Sequence, residues 1–384
     1  MLSEKESSSP ATGAAYFPPS GDSWQKITPE EAGMDSARLM EVADFAEAHE
    51  STTWPRTIAN EQGIYDNASI TDPPQWNELI GPVKPRGAPN GVILRHGRIV
   101  AEWGDTRRAD MTFSISKSYL SLIAALALQD GLIRDFDDTV RSHGLDDGFD
   151  AEQNQAITWR QLLHQTSEWE GTLWGKPDLA DRNRSISGDN SLKGSHRDLR
   201  EPGSFWEYND VRVNRLSLSL LRLFRRPLPE VLRERIMNPI GASQDWEWPT
   251  YRNAVVEIEG RQMPSVPGGG HWGGGLWISS RDHARVGWLV RNGGMWAGRQ
   301  IIEGPLLARL LEPSPVNPGY ASLWWLNPGR SSIPAAPESC VFARGGGANL
   351  IVVDPEHDLV LVSRWVDSAH WNTIYEMIMA SLRD

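Results

Sequence analysis

Two residues three apart, Ser114 and Lys117, carry the chemistry that organises the reading of this 384-residue chain. A serine hydroxyl is a weak nucleophile until a neighbour takes its proton, and a lysine can do so only as the neutral amine. In the first turn of a helix the two share one face. Burial beside the partial positive charge of the helix start favours the neutral form, and the Ser114 amide there supplies one half of an oxyanion site. The chemistry this points to is acyl transfer. Ser23 and Lys26 repeat the spacing without an apolar helical run behind them, so spacing alone does not define a site.

The element that must position the pair runs from Thr112 to Gly131. Ile115, Tyr119, Leu122, Ile123 and Leu126 recur at helical spacing and predict a helix with a broad buried face. Thr112 or Ser114 is the expected cap, and Gly131 the left-handed stop. The surrounding composition sets bounds. With 39% hydrophobic residues the chain can bury a large core, and its length predicts two subdomains. A formal charge of −12 argues against nucleic acid or an anionic membrane as partner. The single cysteine, Cys340, rules out an internal disulfide and reads as a small core residue. The polar stretch Met1–Ser20 has no basic start or apolar run, so it does not read as a signal peptide, and no run approaches transmembrane length. A cytoplasmic location is the expectation.

Taken in order, residues 1–27 read as an extended arm. Asp35 or Ser36 caps a predicted helix from Arg38 to His49. Residues 50–88 are rich in Pro, Asn and Gly, and a connection that long is usually functional or mobile. Gly91 to Gly104 reads as a hairpin around His96-Gly97. Helices are predicted over Thr158–Gln165, Val211–Phe224, Leu228–Ile236, Arg281–Asn292 and Trp371–Leu382. Strands are expected over Tyr320–Leu326 and Cys340–Arg344, with a hairpin around Asp354–Asp358. The glycine-dense passage Gly268–Ser280 lacks the spacing and lysine of a phosphate loop and reads as a strand where backbones approach closely. The resulting expectation is an α/β (α+β) chain: an antiparallel sheet from 28–107 and 265–384, flanked by the terminal helices, plus a mainly helical part, 108–264, carrying the site.

Three ordered stretches resemble the penicillin-recognising serine hydrolases, the broad family of class C β-lactamases, family VIII esterases, D,D-peptidases and nylon-oligomer hydrolases. They are Ser114-Ile-Ser-Lys117, Tyr208-Asn-Asp210 where the family has Tyr-x-Asn, and Ala343-Arg-Gly345 where it has Lys-Thr-Gly or His-x-Gly. Thr158 to Ser167 is similar to the family's structural helix and turn, making His164 scaffold, and Gly274 to Asp282 is similar to its Gly-Gly-Leu segment. The resemblance implies a β-lactamase/D,D-peptidase-like fold, with Ser114 the nucleophile, Lys117 its proton acceptor and Tyr208 a second base sharing a proton with Lys117. By register the Gly346 amide is the second oxyanion donor, with Gly345 lining the strand. Two positions depart from the pattern. Asp210 replaces the usual Asn and, unless protonated, cannot donate to a substrate carbonyl. It would attract an amine, or pair with Arg212 or Arg344 as a structural ion pair. Ala343 stands where a cation is frequent, with Arg344 beside it on either face of the strand, which weakens the case for binding the carboxylate of a penicillin.

The expected function is a cytoplasmic serine esterase or amidase acting on a small molecule through an acyl-enzyme. A β-lactamase or D-amino-acid peptidase, and a catalytically silent binding module, are the alternatives. The sequence holds no Gly-x-Ser-x-Gly elbow and no His-Glu-x-x-His pair, so neither a metal nor a cofactor is expected. Eighteen tryptophans imply wide apolar surfaces. Trp169, Trp174, Trp206 and Trp272, with residues 50–88, would wall a cleft for a flat or apolar group. A homo-oligomer is compatible with all of this.

Overall fold

Alternation along the central strands decides the architecture. The computed structural model describes residues 15–21, 23–67, 72–186 and 188–383. The strands that position the site are β1 (Asn90–Arg95), β2 (Arg98–Trp103), β3 (Asp110–Met111), β4 (Trp277–Ile278), β5 (Trp325–Leu326), β6 (Val341–Gly345), β7 (Asn349–Asp354) and β8 (Leu359–Arg364); three short two-stranded ribbons lie elsewhere among the described residues. Six form one antiparallel sheet in the order β5-β6-β7-β8-β1-β2, and β3 pairs with β4 in a separate short ribbon. Along β7 and β8, Leu350, Val352, Leu359 and Leu361 face one way, while Ile351, Val353, Val360 and Val362 face the other. Two buried faces require two covers.

Helices α1 (Ser36–Ala48) and α6 (Trp371–Ala380) cover the first face through Leu39, Val42, Ala46, Ile374 and Ile378. Helix α5 (Ser280–Arg291) covers the second. Asp35 rather than Ser36 caps α1, accepting from the Arg38 amide at 3.2 Å. Beyond α5 lies the helical part, centred on α2 (Ile115–Gln129). Every residue of α2 from Ile115 to Ala127 is buried, as expected of a helix apolar all round. Helix α4 (Asp210–Phe224) packs beside it, and α3 (Trp159–Leu163) packs on α4. From residue 15 the N-terminal arm lies along the body, with the Trp24 indole donating to the Gly97 carbonyl and Arg285 donating to those of Pro18, Pro19 and Gly21. Residues 1–14 lie outside the described residues.

Some expected elements differ. The strand predicted over Tyr320–Leu326 is regular only at Trp325–Leu326, because Leu323 takes positive φ. The glycine run is not a strand before Trp277. Its backbones do approach closely: a Cβ on Gly81 would lie 2.6 Å from the Gly274 nitrogen. Among the described residues, no helix is long and apolar enough to cross a membrane.

Arg364 joins the sheet to the helical part. Fully buried at the end of β8, it donates from Nη2 to the Met111 carbonyl, from Nη1 to that of Ile278 and from Nε to Asn349 Oδ1, each at 2.6 Å. Burial pushes this guanidinium down to about 10, with Asp110 opposing.

His164, at the end of α3, is buried with Nε2 unpartnered, and burial, then the nearby Arg160, pushes it down to about 4. The folded chain holds it neutral, whereas the unfolded chain protonates near 6.5. Its contribution is therefore present above pH 6.5 and lost as pH falls towards 4. Urea unfolding across that window is expected to show stability falling with pH, and less steeply in a His164→Gln variant.

Candidate active site

Four elements converge on Ser114. The β3–β4 ribbon delivers the chain to Thr112, whose amide donates to the Leu276 carbonyl at 3.0 Å. Phe113 then adopts φ +49, a conformation that costs a non-glycine residue about 1–3 kcal/mol. Its ring is held by Trp54 and Tyr65, with centroids at 4.5 and 5.7 Å. The left-handed step turns the chain into α2 with Ser114 at the N-cap position, although no side-chain capping bond forms there. Contrary to expectation, neither Thr112 nor Ser114 caps: Thr112 Oγ1 pairs with His283 at 2.7 Å, and Ser114 Oγ accepts from Lys117 Nζ at 2.9 Å.

Opposite the helix start, β6 runs past its short neighbour β5, which pairs only with Val341 and Phe342. Gly345 lies against the nucleophile turn: a Cβ there would fall 2.1 Å from the Thr112 carbonyl and 3.2 Å from the Ser114 nitrogen. Only glycine permits this approach. Asn349 Nδ2 holds the Gly346 carbonyl at 2.5 Å. Neither the Ser114 nor the Gly346 amide donates a hydrogen bond among the described residues.

Tyr208 and Asp210 come from the start of α4. Asn209 caps that helix, its Oδ1 accepting from the amides of Val211 and Arg212, while its own amide donates to Gln165 Oε1 at 2.9 Å. The turn sets the Tyr208 ring beside Lys117, with Nζ 4.7 Å from its centroid. Lys117 thus meets the ring, and its hydrogen bonds go to Ser114 and to Asp210 Oδ1 at 2.5 Å.

Asp210 does not pair with Arg212 or Arg344. Its Oδ1 takes Lys117 and its Oδ2 takes Arg184 Nη1, both at 2.5 Å. Burial alone would raise this carboxyl. The Lys117, Arg184 and His271 charges outweigh it and hold the group well below the usual carboxylate range. Arg212 pairs with Glu168, Asp178 and Glu207. Beyond Asp210 the charges continue. His271 lies 3.8 Å from Asp210 Oδ2 and 2.9 Å from Asp72, and Lys193 bonds Asp72 and lies 3.1 Å from Asp181. Asp72, Asp181 and His271 bring their ligand atoms within 4.8 Å, the spacing of a metal trio, but the Lys193 ammonium bridges its two carboxylates.

The expected aromatic wall is only partly present. Trp206 packs with Tyr208, Tyr320 and Trp325 in one cluster, its centroid 6.2 Å from that of Tyr208. Trp169 and Trp272 are buried instead: Trp169 donates to the Gly148 carbonyl, and Trp272 is fully enclosed. Arg344 shares the strand face of Phe342, stacking on Phe342, Trp371 and Trp325, while Ala343 faces the core beside α2. Its Nε and Nη2 are buried without acceptors, and burial pushes it down to about 10. Two parts of the 50–88 segment reach the glycine run: the Tyr65 hydroxyl donates to the Gly270 carbonyl at 2.5 Å and accepts from the Gly273 amide, and the Ile80 and Gly81 amides donate to the Trp272 carbonyl. Arg184, Asp181, Lys193 and Asp72 carried no motif. A polar cavity of about 340 Å³ bounded by Trp24, Glu102 and Arg281 contains none of these groups.

A six-stranded antiparallel sheet covered on both faces, with a buried helix start set against its glycine-lined strand end, is a β-lactamase-like serine hydrolase fold. The chain belongs to the β-lactamase family, whose model, described as Beta-lactamase, matches residues 92–363. Similar solved structures include EstCE1, a hydrolase with promiscuous acyltransferase activity (16% identity, 93% of this chain and 99% of that one, TM-score 0.56). A penicillin-binding protein homologue from Caulobacter crescentus aligns at 15% identity over 93% and 99% of the two chains, TM-score 0.56. A family VIII carboxylesterase aligns at 15% over 79% and 93%, TM-score 0.54. No functionally curated protein matches the chain.

A Cβ on Gly269 would fall 2.1 Å from Asp210 Oδ1 and 2.2 Å from Lys117 Nζ. Gly269→Ala is expected to part this buried pair and destabilise the chain by about 2–4 kcal/mol. Gly304→Ala, whose Cβ meets nothing closer than 3.6 Å, should change stability by no more than about 1 kcal/mol. Urea denaturation of the two variants measures the difference.

Proposed function

We propose that the chain is a serine esterase or amidase that cleaves a small-molecule acyl bond through an acyl-enzyme. The observation that carries this reading is Lys117 Nζ, which lies 2.9 Å from Ser114 Oγ and 2.5 Å from Asp210 Oδ1. Ser114 Oγ attacks the carbonyl carbon while its proton passes to Lys117 in the amine form, and the Asp210 carboxylate steadies the ammonium produced. The carbonyl oxygen takes up negative charge between the Ser114 and Gly346 amides. The tetrahedral adduct then collapses, and the leaving oxygen or nitrogen takes its proton from the Lys117 ammonium, which the Tyr208 ring faces at 4.7 Å. Water attacks the acyl-serine by the same route in reverse.

Hydrolysis of β-lactams uses the same steps and is the second reading, favoured by the family. Against it stands Ala343, where a cation would meet the β-lactam carboxylate, with the Arg344 side chain stacked on Phe342 and Trp371.

Ser114→Ala is expected to lower kcat/KM for p-nitrophenyl butyrate at least about a thousandfold and to abolish fluorophosphonate labelling seen by intact mass. Retained turnover in that variant overturns the reading. Prompt hydrolysis of a chromogenic cephalosporin with poor ester turnover moves the assignment to a β-lactamase.

A further inference from the structure

The acidic residue at position 210 poses a problem that its surroundings answer. Asp210 is almost wholly buried and ionised beside the lysine that must serve as base. A lone carboxylate there would be costly and would hold the ammonium form in place. Its second oxygen, however, is occupied by Arg184 Nη1 at 2.5 Å, and that nitrogen also reaches Asp181 Oδ1 at 3.4 Å. The backbone fixes Arg184 in this position. The preceding Asn183 has φ +58, its amide donates to Glu207 Oε1 at 2.8 Å, and its side chain bonds the Ser195 carbonyl at 3.0 Å. The Arg184 guanidinium also lies 5.1 Å from the centre of the Tyr208 ring, whose other cationic neighbour is Lys117.

Charge balance makes Arg184 more than a surface tether. Around the site Lys117, Arg184 and Lys193 face Asp72, Asp181 and Asp210, with His271 among them. All are buried or nearly so, Arg184 being the most open of the cations at 19% side-chain exposure. Without Arg184, Asp210 Oδ2 would lose its 2.5 Å partner, and the carboxylate would turn most of its charge on Lys117. We infer that Arg184 is a positioning residue for the reaction: through the two oxygens of Asp210 it fixes where Lys117 points and how tightly that amine is held. Arg184 and Asp210 then form one charge-compensated unit beside the base. This inference rests on the hydrolase reading above.

The groups that face Asp210 and bear on any pH readout are Lys117 from α2, Arg184 and Asp181 from the 178–184 segment, His271 from the glycine run and Tyr208 from its own turn. The test is kcat and KM for p-nitrophenyl butyrate from pH 6 to 10, on the full chain, for the parent, Arg184→Met, Arg184→Lys and Arg184→Met/Asp210→Asn. Arg184→Met should lower kcat about tenfold or more at pH 7 with little change in KM. It should move the rising limb of the profile to higher pH by about one unit. Arg184→Lys should recover much of the loss, and the double variant should restore the limb to or below the parental position, since the amide no longer needs a counter-charge. A purely structural arginine would lower activity without moving the limb and without rescue by Asp210→Asn, and that result overturns the inference, as does a profile indifferent to Arg184 in an active chain. Circular dichroism and thermal melts confirm that each variant folds. A parent that neither turns over ester nor labels at Ser114 overturns the hydrolase reading and this one together.

Discussion

Three carbonyl-type oxygens held by one buried guanidinium set the geometry on which everything else rests. Arg364 reaches the backbone three residues before the nucleophile, the strand paired with that backbone, and the side chain of Asn349, which itself holds the carbonyl of Gly346. The two amides able to receive an oxyanion belong to segments more than two hundred residues apart, and this arginine connects both to one rigid fork. None of its hydrogen-bond acceptors is charged. An ionic partner would satisfy it as well but would place a second charge in the interior. Carbonyl dipoles give direction without that charge.

The same sheet carries a second, partly buried arginine in different surroundings. Arg344 has aromatic faces where Arg364 has oxygens, with ring centroids 5.0–5.5 Å from its guanidinium carbon. Cation–π contact offsets part of the desolvation, and Trp325, one of those rings, stacks on Tyr208 at 5.8 Å. Strand alternation separates the two tasks. Ala343 and Gly345 leave room on the side of α2, and the residue between them supports the aromatic cluster from the far side. The small residues at the nucleophile and the large cation behind them are parts of one packing solution.

Much of this could be read from the order of residues. The helix after Ser114, the hairpin around His96, the hairpin around Asp354–Asp358 and the antiparallel sheet all follow from local periodicity and turn chemistry, and the three motifs fixed the family. Long-range charge could not be read this way. Arg184 lies in a polar loop and Lys193 in another stretch of the same loop, where nothing local separates them from solvated surface residues. Asp72 occupies an aperiodic segment. Only the tertiary fold brings Arg184 onto Asp210 and gathers Lys193 and Asp72 behind it, so the sequence offers Arg212 and Arg344 as nearer or more familiar counter-ions. The tryptophans fail for a related reason: enrichment shows that broad apolar surface exists, but whether Trp272 meets a cleft or a core depends on what packs over it, here Ile80, Gly81 and Lys176. The glycine run signalled close approach correctly, yet its regularity was misread, because six positions of positive φ or tight contact leave no room for a ladder.

The separation of the paired groups along the chain has a consequence for how the molecule is made. Lys117 and Asp210 are 93 residues apart, Asp72 and His271 are 199 apart, and Met111 and Arg364 are 253 apart. Bringing such ions together while water still surrounds them gains almost nothing, and expelling water before they meet strands bare charge in a low dielectric. Neither order is downhill, so dehydration and pairing must coincide. The charged cluster around Asp210 is therefore a product of closure between distant segments of the chain, and cannot be assembled piece by piece in either of them.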